Sequence, residues 1–437
     1  MSILNVNKIN PVGGGSTITI AGIASVTSSV TAPSFVGAVT GNVTGNVTGN
    51  SDTASGLSGN PSINTTGIVT ATAFVSDTPL SNRNKVINGG MLINQRSNSY
   101  TATGEEYLLD RFNHRTGSGF TFDTTTTQDS SAPDGFTKSL KITPDSTQTP
   151  SGSHNGMLGH LIEANNLLGF ASGTSSAKSF ALSFYAKSSS QNNNHQYSIQ
   201  ISKVNSGGSY YYQNRSFVVT SSWQRFTVVF PADTSNNIIA GNTEGLRILW
   251  HLSAGSDDIA SAVTSWTSSN GNHAVTGQSN FMDNTSNEFY LTGVQLEVGD
   301  TVTPFEHRSF GDELARCQRY YIQYGGVNGS LGRFPMMGEC PTTTTAQYVL
   351  QFPVAMRGGG NVTLTHNGTV SDYLIYTANV SRTSTGIALA DTLKYGFGDV
   401  FGCRVNLSRS NGDLVAGRGV QGYSSNSTGF LGFSREL

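Results

Sequence analysis

The residues best suited to hold a ligand in this chain are aromatic. Tyr210, Tyr211 and Tyr212 are consecutive. In an extended strand successive side chains point to opposite faces, so the three cannot share one core and at least one is exposed. Trp266 lies in a stretch rich in Asp, Ser and Asn, between Asp257 and Asn280, with no strand pattern. The face of such a ring stacks on the C–H surface of a pyranose, while nearby amides and hydroxyls bond the sugar oxygens. These four are the candidate ligand-binding residues, with Trp266 the best single stacking platform. Trp223 and Trp250 sit within strand patterns and are assigned to the core. Packing against a neighbouring subunit is the competing role for every exposed ring.

Catalytic and metal chemistry find less support. Glycoside cleavage needs only two suitably separated carboxylates, and Glu105, Glu106, Asp257, Asp258, Glu288 and Glu297 are available. Acidic residues on strand ends and loops are ordinarily solvated surface, however, and the chain has no GxSxG elbow, HExxH helix, Walker loop or CxxC pair. No catalytic residue is assigned, and the expectation is a protein that is not an enzyme. His154, His160 and Glu163 lie in HNGMLGHLIE and would ligate zinc only if a turn gathered them. Their spacing fits no known site, so loop hydrogen bonding is expected there. Asp283–Glu288 offers oxygen ligands but lacks the glycine and spacing of an EF-hand loop. No metal and no cofactor is expected.

The elements that position these residues are strands. Charged residues make up 12% of the 437 residues, about half the usual share. Gly, numbering 51, and long runs of Ser, Thr and Asn favour strands and turns over helices. Period-two segments at 180–187, 197–202, 216–219, 223–230, 246–252 and 288–296, bounded by Ser/Asn/Gly turns, predict a sandwich. One helix is predicted: Ser309 and Asp312 have capping-box spacing, and the run 313–321 places Leu314, Cys317 and Tyr321 on one face. Beyond it, 346–352 and 361–365 return to β patterning around Gly358–Gly360.

The first 85 residues cannot form an ordinary core, since Phe35 and Phe74 are almost their only aromatics. They repeat instead. Gly37, Gly41, Gly45 and Gly49 alternate with Val39, Val43 and Val47, and Ser29–Val36 recurs as Ile68–Val75. One Val in four buries too little in a single chain to offset ordering costs of about 1–2 kcal/mol per residue. Three intertwined chains would place those valines on a common axis, which predicts a trimeric shaft rather than a flexible linker. A net charge of −2 and the absence of a basic run argue against nucleic acid. No apolar stretch is long enough to span a bilayer, so no membrane insertion is expected. Cys317, Cys340 and Cys403 are odd in number and far apart, which suits reduced thiols.

The wording of several segments resembles a known group. Val86–Arg96 (VINGGMLINQR) with Leu109–Phe112 (LDRF) resembles the opening of a sandwich domain found in tail-fibre and virion structural proteins of tailed bacteriophages. Tyr290–Gly299 (YLTGVQLEVG), Thr303–Arg308 (TPFEHR) and Glu313–Tyr321 (ELARCQRYY) resemble its close. These segments bracket about half of the chain. Asp110–Phe112 is a variant of the commoner DRW, so any role of a Trp there is absent. The repeat resembles phage fibre shafts, and Phe352–Arg357 with Asn361–Leu364 is similar to a recurrent C-terminal fibre module.

The resemblance implies an all-β, elongated fibre subunit with a carbohydrate-binding-type jelly-roll domain. Its expected parts are a particle-attachment segment (1–15), a repetitive trimeric shaft (16–85), a jelly-roll-like β-sandwich (86–308), a connecting helix (309–321) and a C-terminal β tip (322–437). The implied function is a tail fibre mediating attachment to host cell-surface glycans. A glycan depolymerase tailspike and a capsid or collar decoration fibre are the alternatives. Expected partners are two further copies in a homotrimer, other virion proteins through the N-terminus, and host surface polysaccharide. The expected location is the virion tail, after assembly in the host cytoplasm.

Overall fold

The chain divides into two units, Met1–Ala73 and Phe74–Leu437, and the second holds every described residue. The computed structural model describes residues 81–96, 99–102, 104–205, 207–268, 273–325, 336–358, 361–366, 369–377, 380–394, 400–425 and 429–437. The expected attachment segment, and the expected shaft up to residue 80, lie outside them.

Alternation of apolar and polar residues builds a two-sheet sandwich, as the period-two segments predict. One sheet has six strands in the order β1 (Ser99–Ala102), β4 (Thr124–Asp129), β5 (Ser139–Pro144), β15 (Phe289–Val298), β7 (Phe180–Ser188), β10 (Gln224–Phe230). The other has seven in the order β13 (Thr267–Ser268), β9 (Tyr210–Val218), β8 (Gln196–Val204), β11 (Glu244–Ala254), β6 (Asn155–Glu163), β3 (Phe112–Gly117), β2 (Glu106–Tyr107). A small parallel pair, β12 (Ile259–Ala260) and β14 (Ala274–Val275), accompanies them. The inner faces share one core in which Leu246, Ile248, Trp250 and Leu252 of β11 meet Phe112, Leu158, Phe184 and Ile199. Trp250 meets Phe184 edge-on, with ring centroids 5.7 Å apart.

Three expectations need correction. The HNGMLGHLIE segment is not a loop: it contains the nine-residue strand β6, buried at every position. Glycines hide it from a pattern search, yet the packing demands them. A Cβ on Gly156 would fall 2.4 Å from the Phe122 ring, and one on Gly159 would fall 2.3 Å from the Asn113 side-chain amide. Trp223 is not core either; it precedes β10 and leans half-buried on Tyr290, 6.1 Å between centroids. The helix, α1 (Phe310–Gln318), begins on the predicted cap, with Ser309 Oγ accepting from Asp312 N at 3.2 Å. It stops before Tyr321, which opens a strand instead of lying on the helical face with Leu314 and Cys317.

The C-terminal part has a three-stranded sheet, β16 (Tyr321–Gly325), β25 (Phe430–Ser434), β19 (Thr363–His366). Beside it stands a seven-stranded sheet ordered β21 (Val380–Thr383), β20 (Tyr373–Thr377), β24 (Gly419–Ser424), β17 (Met336–Glu339), β18 (Thr345–Met356), β23 (Val400–Ser408), β22 (Gly386–Lys394). Tyr348, Ile375, Leu431 and Phe433 belong to its own core. All three cysteines are free and buried. Burial pushes the Cys403 thiol up to about 12, which keeps it from acting as a thiolate.

A buried polar junction ties this part to the sandwich. The Glu436 carboxylate receives Arg96 at 2.7 Å and also pairs with Arg111. Arg96 lies 3.7 Å over the Tyr321 ring and Arg111 3.6 Å over the Tyr320 ring. Glu163, at the end of β6, accepts from Arg319 at 2.9 and 3.1 Å and from Tyr320 Oη at 2.7 Å. Arg357 donates to the carbonyls of Arg435 at 2.9 Å and Glu436 at 2.7 Å. Glu313 of α1 accepts from the Asn88 amide, and Arg308 reaches it at 3.1 Å. The motif residues that carry the family resemblance therefore converge on this joint. Among the described residues, no helix is long and apolar enough to cross a membrane.

Candidate functional site

The outer face of the seven-stranded sheet is polar, as strand alternation requires when the other face is core. It is nevertheless hidden from water. Asn113, Gln200, Ser202, Asn214 and His251 are each no more than 3% exposed. Register aligns them in rows: Asn113, Gly159, Leu249, Gln200 and Asn214 run across β3, β6, β11, β8 and β9. The next row on the same face is Arg115, Met157, His251 and Ser198.

Part of this face is covered by the chain after β11. Asp258 accepts from Asn155 Nδ2 at 2.7 Å and meets His273 Nδ1 at 3.1 Å. The His273 ring stacks on His251 with centroids 6.0 Å apart and stands edge-on to Tyr212 at 5.8 Å. Gln278 accepts from Ser198 Oγ at 2.7 Å and donates to the His251 carbonyl at 2.9 Å. The uncovered part is a cleft of about 270 Å³ whose lining includes Glu105, Arg115, Gln200, Tyr210, Arg247, His251 and His273.

Hydrogen bonding fixes what the cleft floor offers. Gln200 Nε2 donates to Ser202 Oγ at 2.8 Å, so its Oε1 is the atom that accepts, and it lies 2.7 Å from His251 Nε2. The proton is therefore on Nε2, and Nδ1 carries a lone pair. That Nδ1 is buried and has no hydrogen-bond partner among the described residues. Burial, with a smaller contribution from His273, pushes the His251 imidazole down to about 3. His251 is thus neutral at any physiological pH, and its unsatisfied Nδ1 is enclosed by protein atoms beneath the cleft.

One wall is Tyr210 with Arg247. The guanidinium carbon lies 4.1 Å over the ring centroid, and Glu244 holds Arg247 through contacts at 2.6 and 2.9 Å. The opposite rim carries Arg115, 3.1 Å from Glu105. Arg115 is steadied from behind by Asn113, whose amide, oriented to donate to the Gly159 carbonyl, accepts from Arg115 Nη1 at 3.2 Å.

Of the four aromatic candidates, the structure brings only Tyr210 into the cleft. Tyr212 is 1% exposed beneath His273, and Tyr211 lies on the opposite face of β9, as alternation dictates. Trp266 packs against the sandwich core, its Nε1 donating to the Pro231 carbonyl at 2.9 Å and its ring 4.7 Å below Lys203 Nζ. Among the acidic candidates, Glu105 lines the cleft and both oxygens of Asp258 are engaged beneath it. Glu288 pairs with Lys141 at 2.5 Å on the other sheet, and Glu297 accepts from Gln295 and Thr303 near the close of the domain. His160 points into the core against Phe112, ring centroids 4.8 Å apart, whereas Glu163 faces outward, so β6 keeps them on opposite sides. Among the described residues no group of three His, Cys, Asp or Glu could hold a metal ion.

Sequence reasoning missed Arg115, Gln200, Arg247 and His251. A signal existed for two of them. Arg247 and His251 occupy alternate positions in a run whose intervening residues, Ile248 and Trp250, are core.

No family model matches the chain, and no curated protein matches it. Solved structures are similar only in part. The family 11 carbohydrate-binding module of a Clostridium thermocellum cellulosomal cellulase is 14% identical with a TM-score of 0.25, over 48% of this chain and 99% of that one. A putative sugar binding protein from Bacteroides thetaiotaomicron is 11% identical with a TM-score of 0.28, over 49% of this chain and all of that one. The enzymatically active domain of a bacteriophage CBA120 tailspike is 12% identical with a TM-score of 0.26, over 49% of this chain and 21% of that one. Superpositions this loose carry no argument, and the functional reading rests on the cleft itself.

Proposed function

We propose that this chain binds carbohydrate, gripping a glycan in the cleft on the outer face of the seven-stranded sheet. The observation that carries the reading is the cleft itself, with Gln200 and Ser202 in its polar floor and the Tyr210–Arg247 stack as its wall. A polyhydroxylated ligand can bond this polar lining through its hydroxyls and offer C–H faces to the tyrosine.

The setting is a fibre of a tailed-phage particle, trimeric through its repetitive N-terminal region, with the sandwich reading host cell-surface glycans. The charge-poor composition, the valine repeat and the fibre-like motifs support that setting. The test is retention of the full-length chain on immobilised host envelope polysaccharides, with light scattering to count subunits. Binding that falls at least about tenfold in Tyr210→Ala and in Gln200→Ala, both still folded, is the expected result. Binding untouched by either change overturns the site, no retention on any polysaccharide overturns the function, and a monomer overturns the fibre setting.

A further inference from the structure

We infer that the glycan held in this cleft carries a carboxylate, and that Arg115 receives it in place of Glu105. The inference rests on the glycan reading above and specifies its ligand class. Two arginines line the cleft, and their counter-charges are held very differently. Arg247 has its Nε–Nη2 edge taken by Glu244, in a sunken pair with side chains 17% and 16% exposed, and one face covered by Tyr210. Arg115 is equally sunk at 17%, but its partner Glu105 is 56% exposed and sits just before the edge strand β2.

A pair with one side in water contributes about 0–1 kcal/mol, so another carboxylate displaces Glu105 at little cost. The arginine needs no rearrangement to receive it. Its backbone is fixed in β3, and Asn113 holds Nη1, leaving Nη2, the nitrogen now facing Glu105, for the newcomer. That nitrogen matches a carboxylate better than any neutral sugar oxygen, because the bond it donates is charge-assisted. A uronic acid residue presents that carboxylate on the same ring as hydroxyls able to bond the polar lining around Gln200 and Ser202. Glu105 is then an internal competitor, filling the arginine until an acidic sugar arrives.

The test is affinity electrophoresis of the full-length protein through gels cast with polygalacturonate, alginate, hyaluronan or host capsular polysaccharide, each beside its carboxyl-reduced counterpart. Acidic polymer should retard the protein about tenfold more strongly than the same polymer reduced. Arg115→Gln should abolish that preference, and Glu105→Gln, a change at an exposed position, should tighten binding to the acidic form by up to about fivefold. Equal retardation by the acidic and reduced forms, retardation by neutral glycans alone, or a preference that survives Arg115→Gln overturns the inference and leaves the glycan reading standing. Retardation by no polymer in either form overturns the glycan reading itself.

Discussion

The junction and the cleft are built from the same materials, with arginines stacked on tyrosines and carboxylates sunk among amides, yet they do opposite things. At the junction Glu436 is claimed by Arg96 and Arg111, and Glu163 by Arg319 and Tyr320. Beneath the cleft His251 keeps an unpaired lone pair, and the carboxylate beside Arg115 stands mostly in water. The difference lies in the carboxylates: those sunk against arginines become structure, whereas one that stands in water beside a sunken arginine leaves that arginine open to a ligand.

The strongest way to break this comparison is at the junction. Glu436→Ala strands two arginines, one of them 1% exposed, and should cost about 3–5 kcal/mol of unfolding free energy in a denaturant titration. A loss under 1 kcal/mol would mean the joint is not held by its charges. Acid probes the cleft in the same terms. His251 has a folded value of about 3, against roughly 6.5 when unfolded. Below about pH 6.5 the unfolded chain therefore takes up the extra proton, and stability falls by up to about 1.4 kcal/mol per pH unit until pH nears 3. His251→Gln should remove its share of that slope in melts run between those limits, leaving the parts due to His160 and His114, which burial also depresses, and an unchanged slope would assign it to other groups.

Two smaller effects sharpen the contrast. Tyr210→Ala should weaken glycan binding about tenfold while shifting unfolding by less than about 1 kcal/mol, because the ring is half-buried and outside the core. Trp266→Phe should do the reverse on a smaller scale. Losing the bond to the Pro231 carbonyl costs about 1 kcal/mol, with glycan affinity unchanged. If titration calorimetry shows weakened binding in Trp266→Phe, the binding surface extends beyond the cleft.

What the sequence made legible follows from where its signals lie. Strands that alternate apolar with polar residues, such as β7, β8 and β11, announce themselves even where the polar face is buried, and Ser309 announces the helix start. β6 does not, because it is buried on both faces and its glycines make room for Phe122 and Asn113, which arrive from elsewhere in the chain. The candidate site was legible at Tyr210 and Glu105 only. Arg115 and Gln200 reach the same cleft through adjacent rows of a register that spans four strands, β3, β6, β11 and β8, and no local pattern encodes such rows. Trp266 misled because its polar surroundings suggested exposure, while its own ring turns inward onto the core. The motifs with the most recognisable wording, around Asn88, Arg111, Glu313 and Tyr320, mark the joint and leave the cleft unspecified.

The Glu436 clasp also sets a clock. Arg96 and Glu436 are 340 positions apart, and a ribosome adding about 5–20 residues per second needs roughly 20–70 s to travel between them. Throughout that interval Arg96 and Arg111 are already made while their carboxylate does not yet exist. The sandwich must wait with two uncompensated cations at its base, and the joint closes only as the far end of the chain arrives. A nascent chain thereby keeps an electropositive socket open until Glu436 seals it.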